Sequence, residues 1–160
     1  MNPKKLVVLL NEIFTCFDII ADSHGLEKIK TIGDAYMAVA GVPLPLEDHA
    51  ARAAHMALDM MDALASFNQR HGYTLQIRIG INSGAVVAGV IGKRKFIYDL
   101  WGDTVNTASR MESHGVPGRI QVSDTTRQQL SGVFVLEERG IIEVKGKGEM
   151  RTWFLDGRSG

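Results

Sequence analysis

Lys28-Ile-Lys-Thr-Ile-Gly-Asp-Ala-Tyr-Met37 is the stretch on which the fold turns. Ile29, Thr31, Ala35, Met37 and Val39 suit strands, and Gly33-Asp34 falls where a two-residue hairpin turn belongs. A hairpin is expected over residues 29–42, because Pro43 and Pro45 break the pattern beyond it. A helical pattern lies on each side. Upstream, Leu6, Leu9, Leu10, Ile13, Phe14 and Phe17 recur at three- and four-residue steps and predict a helix over 3–22. Asn2 should cap it, Pro3 sits in its first turn, and His24-Gly25 should stop it. Downstream, Ala51, Ala54, Met56, Leu58, Met61 and Leu64 mark a helix over 47–70, with Asp48 in its first turn.

Beyond residue 70 the pattern shifts toward strands. Residues 75–81 alternate as a half-buried strand, Ser83-Gly84 turns it, and 85–91 form an apolar partner. A basic loop over 92–95 leads to a strand over 96–100. A helix is expected over 104–112 with Asp103 or Thr104 near its cap, a short strand over 120–122, and a helix over 123–130. Strands over 133–135, 141–144 and 151–155 complete the chain. Helices alternating with hairpins imply a mixed, mostly antiparallel sheet with helices packed outside, in one α+β domain of 160 residues.

Composition narrows the function. Eighteen basic and eighteen acidic residues balance to zero net charge, which argues against a broad basic face for nucleic acid. The longest apolar run, 35–42, is far short of the roughly 18 residues of a membrane span, so no membrane contact is expected from this segment. The single cysteine, Cys16, has no internal disulfide partner and fits a reducing, cytoplasmic setting; its apolar neighbours predict an inert core thiol. The five histidines show no tight ligand spacing, Met56, Met60 and Met61 suit core or interface filling, Trp101 and Trp153 suit packing, and no P-loop pattern is present.

Three segments carry possible chemistry. In the opening stretch, Lys30 lies four residues before Asp34 across the turn. In Tyr98-Asp-Leu-Trp-Gly-Asp-Thr-Val-Asn-Thr-Ala-Ser-Arg-Met-Glu112, Asn106 and Arg110 are four apart and share one helix face, with Asp99 upstream. In Val144-Lys-Gly-Lys-Gly148, lysines alternate with glycines. Each alone also fits a solvated turn or helix face.

Together, and in this order, the three segments resemble the catalytic domain of class III nucleotide cyclases, the adenylyl and guanylyl cyclases, from about Pro3 to Leu155. The resemblance implies a ferredoxin-like α+β sandwich and a head-to-tail homodimer with composite sites, forming a cyclic 3′,5′-nucleotide and pyrophosphate from a nucleoside triphosphate. It assigns Asp34 to a divalent metal, with Mg²⁺ or Mn²⁺ as cofactor and two ions in the complete site. Lys30 and Asp99 match the base-selecting pair: an ammonium donates to adenine N1 and a carboxylate accepts from N6, so ATP is the implied substrate. The guanylyl members tend to carry Glu and Cys there. Asn106 matches the residue that orients the ribose, and Arg110 the one that neutralises charge on the transferred phosphoryl group. Lys145 matches a triphosphate contact and Arg94 an arginine reaching the phosphates from the partner subunit. Lys30, Asp99, Asn106, Arg110 and Lys145 would come from one subunit, and Asp34 and Arg94 from the other.

One family element is missing. The second metal aspartate belongs to a Phe-x-Asp-Ile-x-Gly-Phe-Thr type segment before the first helix, and these 160 residues contain none. The expectation is an N-terminally incomplete cyclase domain, weakly active or inactive by itself, whose parent protein could be membrane-anchored. The alternatives are a guanylyl cyclase, disfavoured by Lys30 and Asp99, and a non-catalytic nucleotide-binding or dimerisation module.

Overall fold

The computed structural model describes residues 2–42, 45–91, 97–130 and 132–159. It divides into two compact units, one ending at Leu75 and the other starting at Gln76. The first holds helix α1 (Pro3–His24), strands β1 (Glu27–Ile32) and β2 (Ala35–Val39), and helix α2 (His49–His71). The second holds β3 (Ile79–Ile81), β4 (Val87–Ile91), β5 (Ile97–Trp101), α3 (Asp103–Ser113), β6 (Ile120–Ser123), α4 (Asp124–Gln129), β7 (Phe134–Val144) and β8 (Gly148–Arg158).

Local chemistry sets the ends of α1 as the sequence implies. The Asn2 Oδ1 accepts from the backbone N–H of Lys4 at 2.8 Å and of Lys5 at 3.2 Å, and Pro3 needs no such partner. Gly25, at φ +76°, closes the helix by donating to the carbonyls of Ala21 and Asp22. Leu9, Ile13, Phe17 and Ala21 form the buried stripe, and α1 packs against α2, whose Ala50, Ala54, Met56, Leu58, Met60, Leu64 and Phe67 are buried. Cys16 is exposed, contrary to the core position its apolar neighbours suggested. It lies one residue before Phe17, about 100° round the helix from the stripe. Leu6, expected on the same face, is also exposed. Helix α2 starts one residue beyond Asp48, which makes no capping bond. Its carboxylate instead accepts from Arg52 Nε at 2.9 Å, and that hydrogen bond holds the Asp48 carboxyl below the usual range.

In the second unit four strands form one sheet in the order β3-β6-β8-β7. Among the described residues only β3 and β6 run parallel; β6–β8 and β7–β8 are antiparallel, as are the separate pairs β4–β5 and β1–β2. The fold is therefore the expected mixed, mostly antiparallel α+β arrangement. Central strand β6 is buried along its whole length.

Three elements depart from the periodicity. The strand foreseen over 75–81 is confined to Ile79–Ile81, because Asn68 at the end of α2 bonds both the carbonyl and the N–H of Leu75, at 2.9 and 3.1 Å. The two strands foreseen over 133–135 and 141–144 are one strand, β7, whose ladder runs through a bulge at Arg139 with Gly140 at φ +108°. Helix α3 is preceded by Gly102 rather than by a side-chain cap; Thr104 Oγ1 donates to the Ala85 carbonyl at 2.6 Å instead.

Helix α3 lies directly on the sheet at Gly80 of β3. A Cβ built there would sit 2.1 Å from the Glu112 nitrogen, 2.6 Å from the Met111 carbonyl carbon and 2.7 Å from the Ala108 oxygen. The neighbours are helix backbone and cannot rotate aside. Met111 is fully buried beneath the same crossing. Gly80→Ala is expected to lower stability by about 3 kcal/mol, read as a fall in the urea midpoint with unchanged slope; an unchanged midpoint would show that α3 has room to retreat.

Candidate active site

Asn106 and Arg110 stand one turn apart on α3 and face the tip of the β7–β8 hairpin. There they line a cleft of about 350 Å³ together with Asp103, Ser109, Lys145, Gly146 and Lys147. The hairpin tip is tight: Gly146 and Gly148 take φ +78° and +75°, and Lys147 N–H donates to the Val144 carbonyl at 2.9 Å. Lys145 and Lys147 flank Gly146 in this turn, and both line the cleft. Lys147 forms an ion pair with Asp103 from the first turn of α3. Among the described residues the lining carries three cations, Arg110, Lys145 and Lys147, and one carboxylate, Asp103, an arrangement suited to a polyanion.

A polar chain ties helix and hairpin to the sheet. The buried Gln121 of β6 donates to the Met111 carbonyl at 2.9 Å. Arg139, the bulge residue of β7, donates to Gln121 Oε1 at 2.5 Å and to the His114 carbonyl at 2.7 Å. The Lys145 N–H points at His114 Nε2, 3.4 Å away. The C-terminal end of α3 is thereby fixed relative to β7 and the turn that carries Lys145.

Lys30 and Asp34 belong to the first unit. Gly33, at φ +59°, makes the turn, Ile32 pairs with Ala35 across it, and Asp34 is exposed at its tip. Lys30 is half-buried opposite Met37. The hairpin rests on α1 through Tyr36, whose ring lies 5.5 Å from Phe14 and 5.7 Å from Phe17 between centroids. The Tyr36 hydroxyl donates to Asp18 at 2.7 Å, and Lys28 pairs with the same carboxylate at 3.2 Å. Asp18 thus anchors the hairpin. Burial, then the Asp18 carboxylate, push the Tyr36 hydroxyl pKa well above its ordinary value.

Asp99 lies in β5 opposite Gly89, with its side chain outside the described residues; Arg94 also lies outside them. The structure brings Asn106, Arg110 and Lys145 to one cleft and adds Asp103, Ser109 and Lys147. Asp103 and Ser109 had a signal in the helical period, since Asp103 is three residues before Asn106. Lys147 had one only in the Lys-Gly-Lys repeat.

Comparison with known proteins identifies the family. The family model described as "Adenylate and Guanylate cyclase catalytic domain" matches residues 1–157. An adenylate cyclase of Mycobacterium tuberculosis is 52% identical over 156 residues, which is 98% of this chain and 35% of that protein. The human atrial natriuretic peptide receptor 2 is 51% identical over 165 residues, covering 99% of this chain and 16% of that one. This chain therefore spans about a third or less of the length of these relatives. Among solved structures, the guanylate cyclase domain of RhGC from Catenaria anguillulae in complex with GTP superposes with a TM-score of 0.93 at 44% identity, covering 99% of this chain and 87% of that one. The chain belongs to the adenylate and guanylate cyclase catalytic domain family. No helix among the described residues is long and apolar enough to cross a membrane.

The Tyr36–Asp18 bond gives a pH signature for the hairpin. Tyr36→Phe should cost about 1 kcal/mol at pH 7. The folded state holds the phenol proton above the ordinary tyrosine pKa, so this stabilisation is full below about pH 10 and declines as pH rises further. Urea midpoints of the two proteins should converge as pH rises above about 10; parallel profiles would show that the folded state does not hold the Tyr36 proton.

Proposed function

We propose that residues 1–160 carry the substrate-binding and transition-state residues of an adenylyl cyclase, converting ATP to 3′,5′-cyclic AMP and pyrophosphate. The observation that carries this reading is the convergence of Asn106, Arg110 and Lys145 on one cationic cleft. Lys145 binds the triphosphate, Asn106 orients the ribose and Arg110 meets charge that develops as the 3′-oxygen attacks the α-phosphorus. The 3′-oxygen–phosphorus bond forms, the bond to pyrophosphate breaks, and the hydroxyl proton is released. Fixed donors aimed at developing charge supply most of the acceleration in such transfers.

ATP is favoured over GTP by residue type. Lys30 donates and Asp99 accepts, matching adenine N1 and N6; guanine offers the opposite polarity at both positions. The pair and the cleft act together in a homodimer, with Asp34 and Arg94 reaching the site from the partner subunit. Asp34 has the hard oxygen donors that Mg²⁺ or Mn²⁺ prefers and can share one ion with the substrate phosphates and water. Among the described residues no three His, Cys, Asp or Glu side chains come together as a metal cage. In this reading Asp34 is the one carboxylate assigned to the metal, and it suits one ion shared with substrate. The ion, when bound, offsets phosphate charge and favours loss of the hydroxyl proton.

With this donor set, turnover by residues 1–160 alone should be slow. The test is cyclic AMP formation from ATP with Mn²⁺ or Mg²⁺ at high protein concentration. Arg110→Ala should reduce the rate by about 100-fold or more, and Lys30→Glu with Asp99→Cys should shift preference toward GTP. An unchanged ATP/GTP ratio would sink the base assignment. ATP binding without Arg110-dependent product would favour the nucleotide-binding module, consistent with the single metal carboxylate.

A further inference from the structure

The Asp103–Lys147 ion pair spans the cleft from the first turn of α3 to the hairpin tip. Its two members differ in exposure: Lys147 keeps 24% of its side-chain surface and Asp103 keeps 78%. The lysine is the more enclosed partner, and the carboxylate is the one more open to solvent. Lys147 also stands among Arg110 and Lys145, so without a counter-anion three cations would repel one another around the same space.

We infer that Asp103 is a positioning residue acting as an internal stand-in for phosphate: it holds Lys147 over the cleft when the cleft is empty, and a triphosphate displaces it. The inference rests on the nucleotide assignment of the cleft and extends it to a second lysine and a competing carboxylate. Exposed ion pairs contribute little to stability, so this one opens readily. A triphosphate oxygen bears more charge than a carboxylate and can bridge Lys147, Lys145 and Arg110 at once. The exchange requires no rearrangement of the backbone, because the turn is fixed by Gly146, Gly148 and the Lys147–Val144 hydrogen bond. Once released, Asp103 faces water beside the N-terminal end of α3, where a carboxylate is favoured.

A purely structural role predicts the opposite sign from displacement. Removing an acidic residue from the first turn weakens a helix, and a loosened α3 would bind ligand less well. Removing a competitor strengthens binding.

The experiment is calorimetric titration of ATP, and separately of inorganic tripolyphosphate, into the full chain and its variants at fixed low salt. Asp103→Asn should tighten both ligands by about 5–10-fold, even if its thermal midpoint falls. Lys147→Gln, at a solvent-facing turn, should weaken both by a similar factor, and Lys147→Arg should restore near-normal binding. In the Asp103→Asn/Lys147→Gln double variant the tightening should vanish, because the two residues act through one another. Wild-type binding that Asp103→Asn leaves unchanged or weakens overturns the stand-in role alone. So does tightening that survives loss of Lys147, or tripolyphosphate binding indifferent to Lys147→Gln. Wild-type protein that binds neither ligand overturns the nucleotide assignment of the cleft, and this inference with it.

Discussion

Helix α3 can lie on the sheet only because position 80 has no side chain. With a Cβ there, the backbone of residues 108–112 would have to lift away, since the atoms it meets are peptide atoms and not the ends of flexible chains. The consequences run outward from that contact. Met111 is sealed beneath the helix and Gln121 is close enough to bond its carbonyl. Arg139 then joins Gln121 to His114, and His114 meets the backbone of Lys145. The Gln121 link is buried, where an unpaired group costs about 1–3 kcal/mol, the Arg139 links are half-buried, and the His114–Lys145 contact is longer and exposed. The position of Asn106 and Arg110 relative to Lys145 is therefore set by packing at the far side of the helix from the cleft.

The cleft itself is built on different terms. Its groups are partly exposed, and among the described residues its charges are uneven, three positive to one negative. Stability does not require such an excess; the proposed phosphate chain would answer it. The two lysines alternate with glycines because the turn needs positive φ at Gly146 and Gly148, and both lysines line the cleft beside α3. In the first unit the same division recurs. Tyr36, Phe14, Phe17 and Asp18 fasten the hairpin to α1, while Asp34 is left exposed at the turn.

Much of this was readable in the sequence where one period or one motif decided it. The α1 stripe, its Asn2 cap and its Gly25 stop follow from local chemistry, and the four-residue step from Asn106 to Arg110 put both on one helix face. The rest depended on partners distant along the chain. Nothing near Leu75 announces that Asn68 will claim its backbone groups, and nothing near Arg139 shows that a polar stretch is a bulge inside one long strand. The Asp103–Lys147 pair joins two segments that sequence spacing cannot relate. Cys16 was misplaced because apolar neighbours in sequence are not neighbours on a helix face.

The account stands on the claim that a nucleotide seats its phosphates between α3 and the β7–β8 tip. The most direct measurement is an ATP titration of ¹⁵N-labelled protein followed by backbone amide shifts. Saturable shifts centred on residues 103–110 and 145–147 are the expected result. Saturation by ATP with those amides unmoved would contradict it and place the nucleotide elsewhere.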